Sequence, residues 1–231
     1  MYLQKECSSC VECRHKAPFF DLLTREELDY INERRYSIQY KAGEIVIKQG
    51  TVAHQVISLV DGFAKLVIEG EGNRNLIISF VKPSQIIGGP GIHTDLKHHY
   101  SVKVLEDSRI CFIDAKKFNT LLNKDLKFAN AFITHLSHKA IVSFNRLFSL
   151  TQKQMHGRIA DCLLFLTNEI YQSQKFETVI SRQEIGDFTA MSKDSAIRVL
   201  KEFERDGIIY LKDKTIEILN MQQLLDISER G

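Results

Sequence analysis

The sequence lacks the features that would assign it to several specialised classes of protein. No uninterrupted apolar run approaches the ~18 residues that a transmembrane helix needs, which excludes a membrane span. The stretch from Met1 to Cys7 has no apolar core of a secretory signal. Five cysteines in 231 residues, an odd number, exclude a disulfide scaffold, so we expect a cytoplasmic protein. The formal net charge of +2 is too small to indicate nucleic-acid binding by itself.

Three of the five cysteines lie close together, at positions 7, 10 and 13. Thiolates separated by two residues can point at a common metal centre, and the spacing of Cys7, Cys10 and Cys13 resembles an iron–sulfur ligation run. The same thiolates suit a small zinc site, a redox-active thiol cluster or no ligand at all. Cys162 falls on the apolar face of a predicted helix, so we interpret it as a structural, buried cysteine.

The chain divides into four segments by composition and periodicity: a cysteine-bearing arm over 1–20, a strand-rich β-barrel segment over 21–120, a long helical segment over 121–151 and a segment of helices and a hairpin over 152–231. A capping box at Thr24 opens a short helix after the arm. From about Gly43 to Ile113, short Val- and Ile-rich runs alternate with glycine-containing turns. This pattern predicts an antiparallel β jelly roll. The predicted strands are Glu44–Lys48, Gln55–Val60, Phe63–Glu69, Asn75–Val81, Tyr100–Leu105 and Arg109–Ile113.

From Lys116 to about Leu150 the periodicity becomes helical, and one stripe follows the alternating three- and four-residue spacing of a coiled-coil seam. Its apolar members form the predicted dimer interface: Leu126, Ala129, Ile133, Leu136, Ala140, Leu147 and Leu150. A second stripe lies beside it: Phe128, Phe132, Phe144 and Phe148. We expect one stripe to pack on the barrel and the other on a second copy of the chain; a single wide core-facing stripe is the alternative.

The last 80 residues predict a winged helix-turn-helix. A helix over Arg158–Tyr171 precedes a second capping box at Ser181, whose helix runs to Phe188. Ser192 caps a third helix, which stops at Gly207. Two strands, Ile208–Leu211 and Thr215–Leu219, form the wing.

The third helix presents polar side chains opposite its apolar face, as a recognition helix would. An arginine there can read guanine bidentately, an acid can accept from cytosine, and helix starts suit phosphate contacts. The candidate DNA-binding residues are Ser181, Arg182, Ser192, Lys193, Asp194, Ser195, Ile197, Arg198 and Lys201. The alternative is an ordinary solvated helix face. The segment 152–231 holds 11 Lys and Arg against 13 Asp and Glu, a formal charge of −2, so DNA binding must depend on local placement and on a dimer.

The order of strand-rich sensor, dimer helix and winged helix-turn-helix resembles the CRP/FNR regulators over nearly the whole chain. Residues 41–50 look like the family's opening barrel motif, and residues 180–200 are similar to its helix-turn-helix signature. The resemblance implies an α+β fold with a cyclic-nucleotide-binding-like jelly roll. It also implies a cytoplasmic homodimer that binds a near-palindromic operator in double-stranded DNA, contacts RNA polymerase and is not an enzyme.

The resemblance further implies an input signal. FNR regulators with an oxygen-labile [4Fe–4S] cluster have their fourth cysteine at the position that matches Cys111, so the implied ligands are Cys7, Cys10, Cys13 and Cys111. The best-known FNR spacing has a longer gap between its second and third cysteines. FNR members read bases with a glutamate, a serine and an arginine. Here the matching positions hold Asp194, Ile197 and Arg198, and only the arginine is identical.

Two alternatives for the input remain. CRP-type members bind cyclic AMP with a glutamate and an arginine, yet no arginine occurs between Asn75 and Ser108, and the only glutamate there is Glu106, which argues against cyclic AMP. DNA binding could instead be controlled by haem, a gas or a small metabolite bound in the barrel. The candidate haem ligands are His93, His98, His99, His135 and His138. A cysteine-based redox enzyme is disfavoured, because no strand–CxxC–helix context or catalytic triad is present.

Overall fold

The computed structural model describes residues 9–88 and 90–231, which form two compact units. The first contains the described residues up to Leu66 and those within Val81–Lys139, and the second contains Val67–Phe80 together with Ala140–Gly231. The predicted Cys7 ligand lies outside the described residues. Within the described residues, no helix is long and apolar enough to cross a membrane.

The sensor strands form two four-stranded sheets, with orders β1-β8-β3-β6 and β2-β7-β4-β5. Strand β8 pairs antiparallel with both β1 and β3, so the predicted antiparallel β jelly roll is confirmed. The strands are β1 Tyr36–Tyr40, β2 Ile45–Ile47, β3 Gln55–Asp61, β4 Ala64–Ile68, β5 Leu76–Val81, β6 Ile86–Ile87, β7 Ser101–Val104 and β8 Ser108–Asp114. Strands β1 and β6 were not predicted.

The turn between β3 and β4 requires glycine. Gly62 has a φ of +93°, and a β-carbon there would lie 2.2 Å from Ser108 Oγ and 2.7 Å from Asp107 O. Side chains other than hydrogen therefore cannot fit where the hairpin approaches β8. The Asp61-Gly62 pair is thus one of the glycine-containing turns that the sequence predicts between strands.

Helices cover one face of the first unit. A 3₁₀ turn over Pro18–Leu22 leads to α1 (Arg25–Asn32), which Thr24 caps with the predicted capping box. The stretch from Lys116 to Leu150 is not continuous, because the helix breaks at Asp125 into α2 (Ala115–Lys124) and α3 (Leu126–Gln152). Asp125 is extended, and its carboxylate accepts from the N–H groups of Lys127 and Phe128, so it ends one helix and caps the next.

An aromatic cluster joins these helices. Phe19 packs 5.6 Å from Phe128 and 5.8 Å from Phe132, measured between ring centroids, and Phe118 packs 5.1 Å from Phe132. Phe128 and Phe132 are 0% and 4% exposed, so this half of the predicted second stripe packs in the core. The other half of the expectation was wrong: Phe144 and Phe148 are 68% and 60% exposed.

The second unit contains the winged helix-turn-helix. Its elements are the second part of α3, α4 (Met155–Phe165), a π-helical turn over Leu166–Tyr171, β9 (Lys175–Glu177), α5 (Arg182–Thr189), α6 (Lys193–Arg205), β10 (Ile209–Lys212), β11 (Thr215–Ile218) and α7 (Met221–Arg230). The predicted helices and wing hairpin are confirmed, with bounds shifted by a few residues. Strand β9, which extends the wing to the order β10-β11-β9, and the C-terminal α7 were not predicted.

Arg146 of α3 is a central contact of the second unit. Its Nη2 donates to Ile77 O of β5 at 3.0 Å and to Phe188 O of α5 at 2.8 Å, and its guanidinium lies 3.7 Å from the centroid of the Phe188 ring. Burial lowers the pKa of Arg146 to about 10, which still leaves the guanidinium charged at neutral pH. One buried cation therefore joins α3, β5 and the first helix of the helix-turn-helix.

Candidate functional site

Two of the predicted metal ligands lie in one core cluster although they are far apart in sequence. Cys10 of the arm is 6% exposed and Cys111 of β8 is 7% exposed, and both belong to the buried cluster that contains Phe19 and Phe128. Cys13 is half-buried. The arm therefore brings Cys10 to the strand that carries Cys111.

Asn32, the last residue of α1, and Arg35, in the turn that follows, connect these two cysteines. The backbone N–H of Cys10 donates to Asn32 Oδ1 at 3.2 Å, and Arg35 Nε donates to the same oxygen at 3.0 Å. Arg35 Nη1 donates to Cys111 Sγ at 3.6 Å. The hydrogen-bonded path thus runs from the arm through Asn32 and Arg35 to the sulfur of the barrel strand.

The three described thiols of this site influence one another electrostatically. Burial, together with a smaller contribution from Cys111 and against an opposing effect from Arg35, raises the pKa of Cys10 to about 12. Burial also raises the pKa of Cys111, while the hydrogen bond and charge of Arg35 act in the opposite direction and Cys13 adds to the rise. The buried thiols are therefore protonated at neutral pH, and a metal would have to displace their protons.

A buried hydroxyl lies beside Cys111 and has no hydrogen-bond partner. Ser58 of β3 stands directly across from Cys111 in the antiparallel register, so the two side chains share one face of the sheet. Ser58 is 6% exposed, and its Oγ makes no hydrogen bond. An unpaired hydroxyl, a guanidinium and buried thiols together suit a sulfur-ligated anionic group.

The ligands do not form a complete site within the described residues. Over residues 9–88 and 90–231, no three His, Cys, Asp or Glu side chains are grouped so as to hold a metal ion. The donor chemistry fits a thiolate-ligated metal centre, and its assembly needs the thiols to converge further. Cys162, by contrast, is 2% exposed within α4, as expected for a structural cysteine.

The histidines considered as haem ligands lie in different environments. The His93 and His135 rings lie 5.9 and 6.4 Å from that of Phe132, and burial lowers the pKa of both imidazoles. His98 is 8% exposed, and its pKa is lowered by burial and by the neighbouring His54 and His99. These side chains are mainly neutral at neutral pH, which makes them poor partners for a cyclic phosphate.

The two helices of the helix-turn-helix meet at a tight turn. Ser181 caps α5 with a complete capping box, and Ser192 accepts the N–H of Ser195 at the start of α6. Ala190 adopts a left-handed conformation between the helices, and a β-carbon at Gly186 would lie 2.9 Å from Met191 O. This close approach fixes the direction in which α6 leaves the turn.

Helix α6 anchors one face and exposes the other, as predicted. Its buried side chains are Ala196, Val199, Leu200 and Phe203. The predicted contact residues on its outer side are exposed at Lys193, Asp194, Arg198 and Lys201, and half-buried at Ser195 and Ile197. Burial lowers the pKa of the half-buried Arg182, whose guanidinium lies within electrostatic reach of Glu204.

A shallow concavity on the outer side of α6 contains residues that sequence reasoning did not single out. It is lined by Asp194, Ile197, Arg198, Lys201, Glu202 and Arg205. Glu202 bonds His156 of α4 at 2.6 Å, and Arg198 Nη2 lies 3.8 Å from Met155 Sδ. No local pattern reveals these contacts, because α4 approaches α6 only in the folded unit.

Helix α3 carries an exposed apolar stripe. Five of the seven predicted dimer residues are exposed, namely Leu126, Ile133, Leu136, Ala140 and Leu147, whereas Ala129 and Leu150 are half-buried. Four further apolar side chains widen the stripe toward the C-terminal end: Ile141, Val142, Phe144 and Phe148. A solvent-exposed stripe of this kind marks an interaction surface.

A β-sandwich sensor joined through a long helix to a winged helix-turn-helix defines a DNA-binding regulator. A cyclic nucleotide-binding domain model matches residues 37–125, and a Crp-like helix-turn-helix domain model matches residues 157–227. The structure of FixK2 from Bradyrhizobium japonicum superposes with a TM-score of 0.77 at 18% identity, covering 84% of this chain and 96% of that one.

Curated relatives cover most of the chain. It is 24% identical to the transcriptional activator protein anr of Pseudomonas aeruginosa, over 95% of this chain and 90% of the relative. It is 25% identical to the transcriptional activator protein FnrL of Cereibacter sphaeroides (89% and 85%) and 22% identical to the anaerobic regulatory protein of Haemophilus influenzae (96% and 87%). The chain belongs to the CRP/FNR family of transcription regulators, which bind DNA as dimers and are not enzymes.

The burial of the thiols predicts their reactivity in the iron-free chain. Cys13 should react with iodoacetamide at least about tenfold faster than Cys10, because Cys13 is half-buried, whereas Cys10 is 6% exposed and burial raises its pKa. Peptide mass mapping over time measures both rates, with the core residue Cys162 as the slow reference. Equal rates at Cys10 and Cys13 would contradict the packing of the arm.

Proposed function

We propose that this regulator responds to oxygen, nitric oxide or redox state through a [4Fe–4S] cluster on Cys7, Cys10, Cys13 and Cys111. The observation that carries the proposal is the placement of Cys10 and Cys111 in one buried cluster, joined through Asn32 and Arg35. The name of the Haemophilus influenzae relative, an anaerobic regulatory protein, supports the same kind of signal. When bound, such a cluster supplies a group that oxygen or nitric oxide degrades.

The arm can pass the state of its cysteines to α3 through direct packing. Phe19, a few residues after Cys13, packs 5.6 Å from Phe128 and 5.6 Å from His135, again between ring centroids. If Cys10 and Cys13 are held against Cys111, the arm and Phe19 are held on α3. Releasing the cysteines loosens the arm and removes packing from the helix that carries the exposed stripe, which is a shift between two populations.

The exposed stripe of α3 is the proposed homodimer interface. Leu126, Ile133 and Leu147 are 77%, 59% and 62% exposed, and their burial against a second copy would provide the hydrophobic driving force for association. The interface comprises the seven residues predicted from the seam, with Phe144 and Phe148 added at the C-terminal end.

DNA recognition is proposed for the outer side of α6. Arg198 and Asp194 are exposed and can reach base edges, Ile197 can contact a thymine methyl group, and Lys193 and Lys201 can bind phosphates. Ser181, Arg182, Ser192 and Ser195 complete the set at the two helix starts. The dimer doubles these contacts over two half-sites of a near-palindromic operator. The family resemblance adds RNA polymerase as the proposed protein partner.

The first prediction from this proposal concerns iron. Anaerobically purified native chain should be coloured and contain iron and acid-labile sulfide, and Cys111→Ser should lose both, because its fourth thiolate is missing. Visible absorption and chemical assay measure the outcome, and Cys162→Ser, in the core of α4, is the matched control. A colourless, iron-free native chain would overturn the cluster. Bound zinc or bound haem would instead support the zinc site or the haem sensor, respectively.

The second prediction concerns the dimer. Ile133→Glu should convert the anaerobically purified protein to monomers, because it places a carboxylate in the apolar seam. Light scattering measures the mass. His138→Glu, at an exposed position off the seam, should remain dimeric, and a dimeric Ile133→Glu variant would remove the seam from the interface.

The third prediction concerns base recognition. Arg198→Ala should weaken binding to a specific operator by roughly 1–3 kcal/mol, because a bidentate contact to guanine is lost. Fluorescence anisotropy at fixed salt measures the affinity. Arg230→Ala, at the end of α7, carries the same change in charge and should bind normally. An unchanged affinity of Arg198→Ala would leave that residue as part of a solvated face.

A further inference from the structure

Cys111 has a polar neighbourhood that the proposed ligand set does not use. Arg35 donates to its sulfur at 3.6 Å, and Ser58 stands directly across from it on the same sheet face. Both residues reach Cys111 only through the fold, since they lie in the α1–β1 turn and in β3. Neither is a candidate metal ligand, so their presence beside a thiol needs a separate explanation.

We propose that Arg35 and Ser58 are positioning residues that hold the Cys111 sulfur as a ligand by donating hydrogen bonds to it, and that they slow the oxidative loss of the cluster. This inference rests on the proposed function. It assigns to two residues a role in setting how readily the protein responds to oxygen.

The orientation of Arg35 supports this role. Its Nε donates to Asn32 Oδ1 at 3.0 Å, which orients the guanidinium, and its backbone N–H donates to Asn32 O at 3.1 Å, which fixes the backbone of the turn. In this orientation the guanidinium donates a hydrogen bond from Nη1 to Cys111 Sγ. A cation that donates to a thiolate ligand withdraws electron density from an anionic cluster, which raises its reduction potential and makes its oxidation harder.

The same turn also holds the arm. Asn32 Oδ1 accepts the N–H of Cys10 together with Nε of Arg35. Arg35 therefore orients the acceptor that positions one ligand while it donates to another. Its removal should affect both Cys10 and Cys111, whereas a purely local packing contact would affect only its neighbours.

Ser58 supplies the second donor. Its hydroxyl is buried and makes no hydrogen bond, and such a group costs stability unless it gains a partner. The hydroxyl can rotate about its χ1 bond, and a thiolate at Cys111 is a better acceptor than a thiol. Ser58 should therefore lower the stability of the metal-free chain, whereas in the cluster-loaded chain its hydroxyl should stabilise the Cys111 thiolate.

Arg35 is tested by its oxygen sensitivity in the loaded protein. Arg35→Met should lose its visible absorption about tenfold faster than the native chain after addition of air, and its reduction potential should fall; Arg35→Lys should restore part of the native rate. Arg34→Met is the matched control, because the Arg34 side chain is 74% exposed and points to Asp114 at 3.9 Å. A folded Arg35→Met variant that binds no iron also supports the role. A native decay rate overturns it.

Ser58 provides a test that remains valid if Arg35→Met does not fold. Ser58→Ala should unfold at the same or a higher temperature than the native chain when both are iron-free, yet lose its cluster several-fold faster in air. A merely structural serine would not give these opposite effects. Ser37→Ala is the control, because Ser37 pairs with Cys111 from β1 but is exposed. An unchanged decay rate in Ser58→Ala overturns the part assigned to Ser58.

The outcomes separate the two levels of the proposal. If the anaerobic native chain holds no iron, the proposed function and this inference both fall. If the native chain holds the cluster and both variants decay at the native rate, only the inference falls, and Cys111 binds without help from Arg35 or Ser58.

Discussion

The packing of Phe19 on α3 is the interaction on which the proposed sensing depends. It joins a cysteine-bearing arm to the helix that carries the exposed apolar stripe, and it lies in the same core cluster as Cys10 and Cys111. Aromatic rings of this size contribute substantial buried area, and the centroid separations of 5.6 and 5.8 Å are typical of favourable ring pairs. A change at the sulfurs therefore acts on a part of the core that α3 shares.

Electrostatic effects differ between the cysteine cluster and the surface of α6. Around the cysteines, burial disfavours thiolates, and the positive charge of Arg35 opposes this effect. Around α6, no general positive field exists, because the last 80 residues carry a formal charge of −2, and Glu202 lines the same surface as Arg198. In the proposed function, binding by one copy is therefore weak, and association through α3 determines whether DNA is bound.

Much of the fold could be predicted because its signals are local. The capping boxes at Thr24 and Ser181, the glycine turn at Gly62 and the apolar face of α6 each depend on a few neighbouring residues. Strand β1 escaped prediction because it is mostly exposed and does not alternate, and α7 because it buries little besides Leu224. The burial of Phe132 and the exposure of Phe144 also could not be predicted, since periodicity places both residues on one stripe and only packing distinguishes them.

The candidate site also contains residues that could be predicted from the sequence and residues that could not. The cysteine spacing and the fourth position were available from sequence and resemblance, whereas Arg35 and Ser58 were not, because each meets Cys111 across a long stretch of chain. Residues that position a ligand carry no spacing signature of their own. The polar surroundings of a site therefore require the structure even where its ligands do not.

The central claim is that the state of the cysteines controls association through α3. The most direct measurement is sedimentation velocity of a single anaerobic, iron-loaded sample with labelled operator DNA, repeated after a controlled exposure to air. The account predicts a DNA-bound dimer before exposure, and free DNA with monomeric protein after the visible absorption has disappeared. A dimer that keeps its operator after complete loss of the cluster would contradict the account.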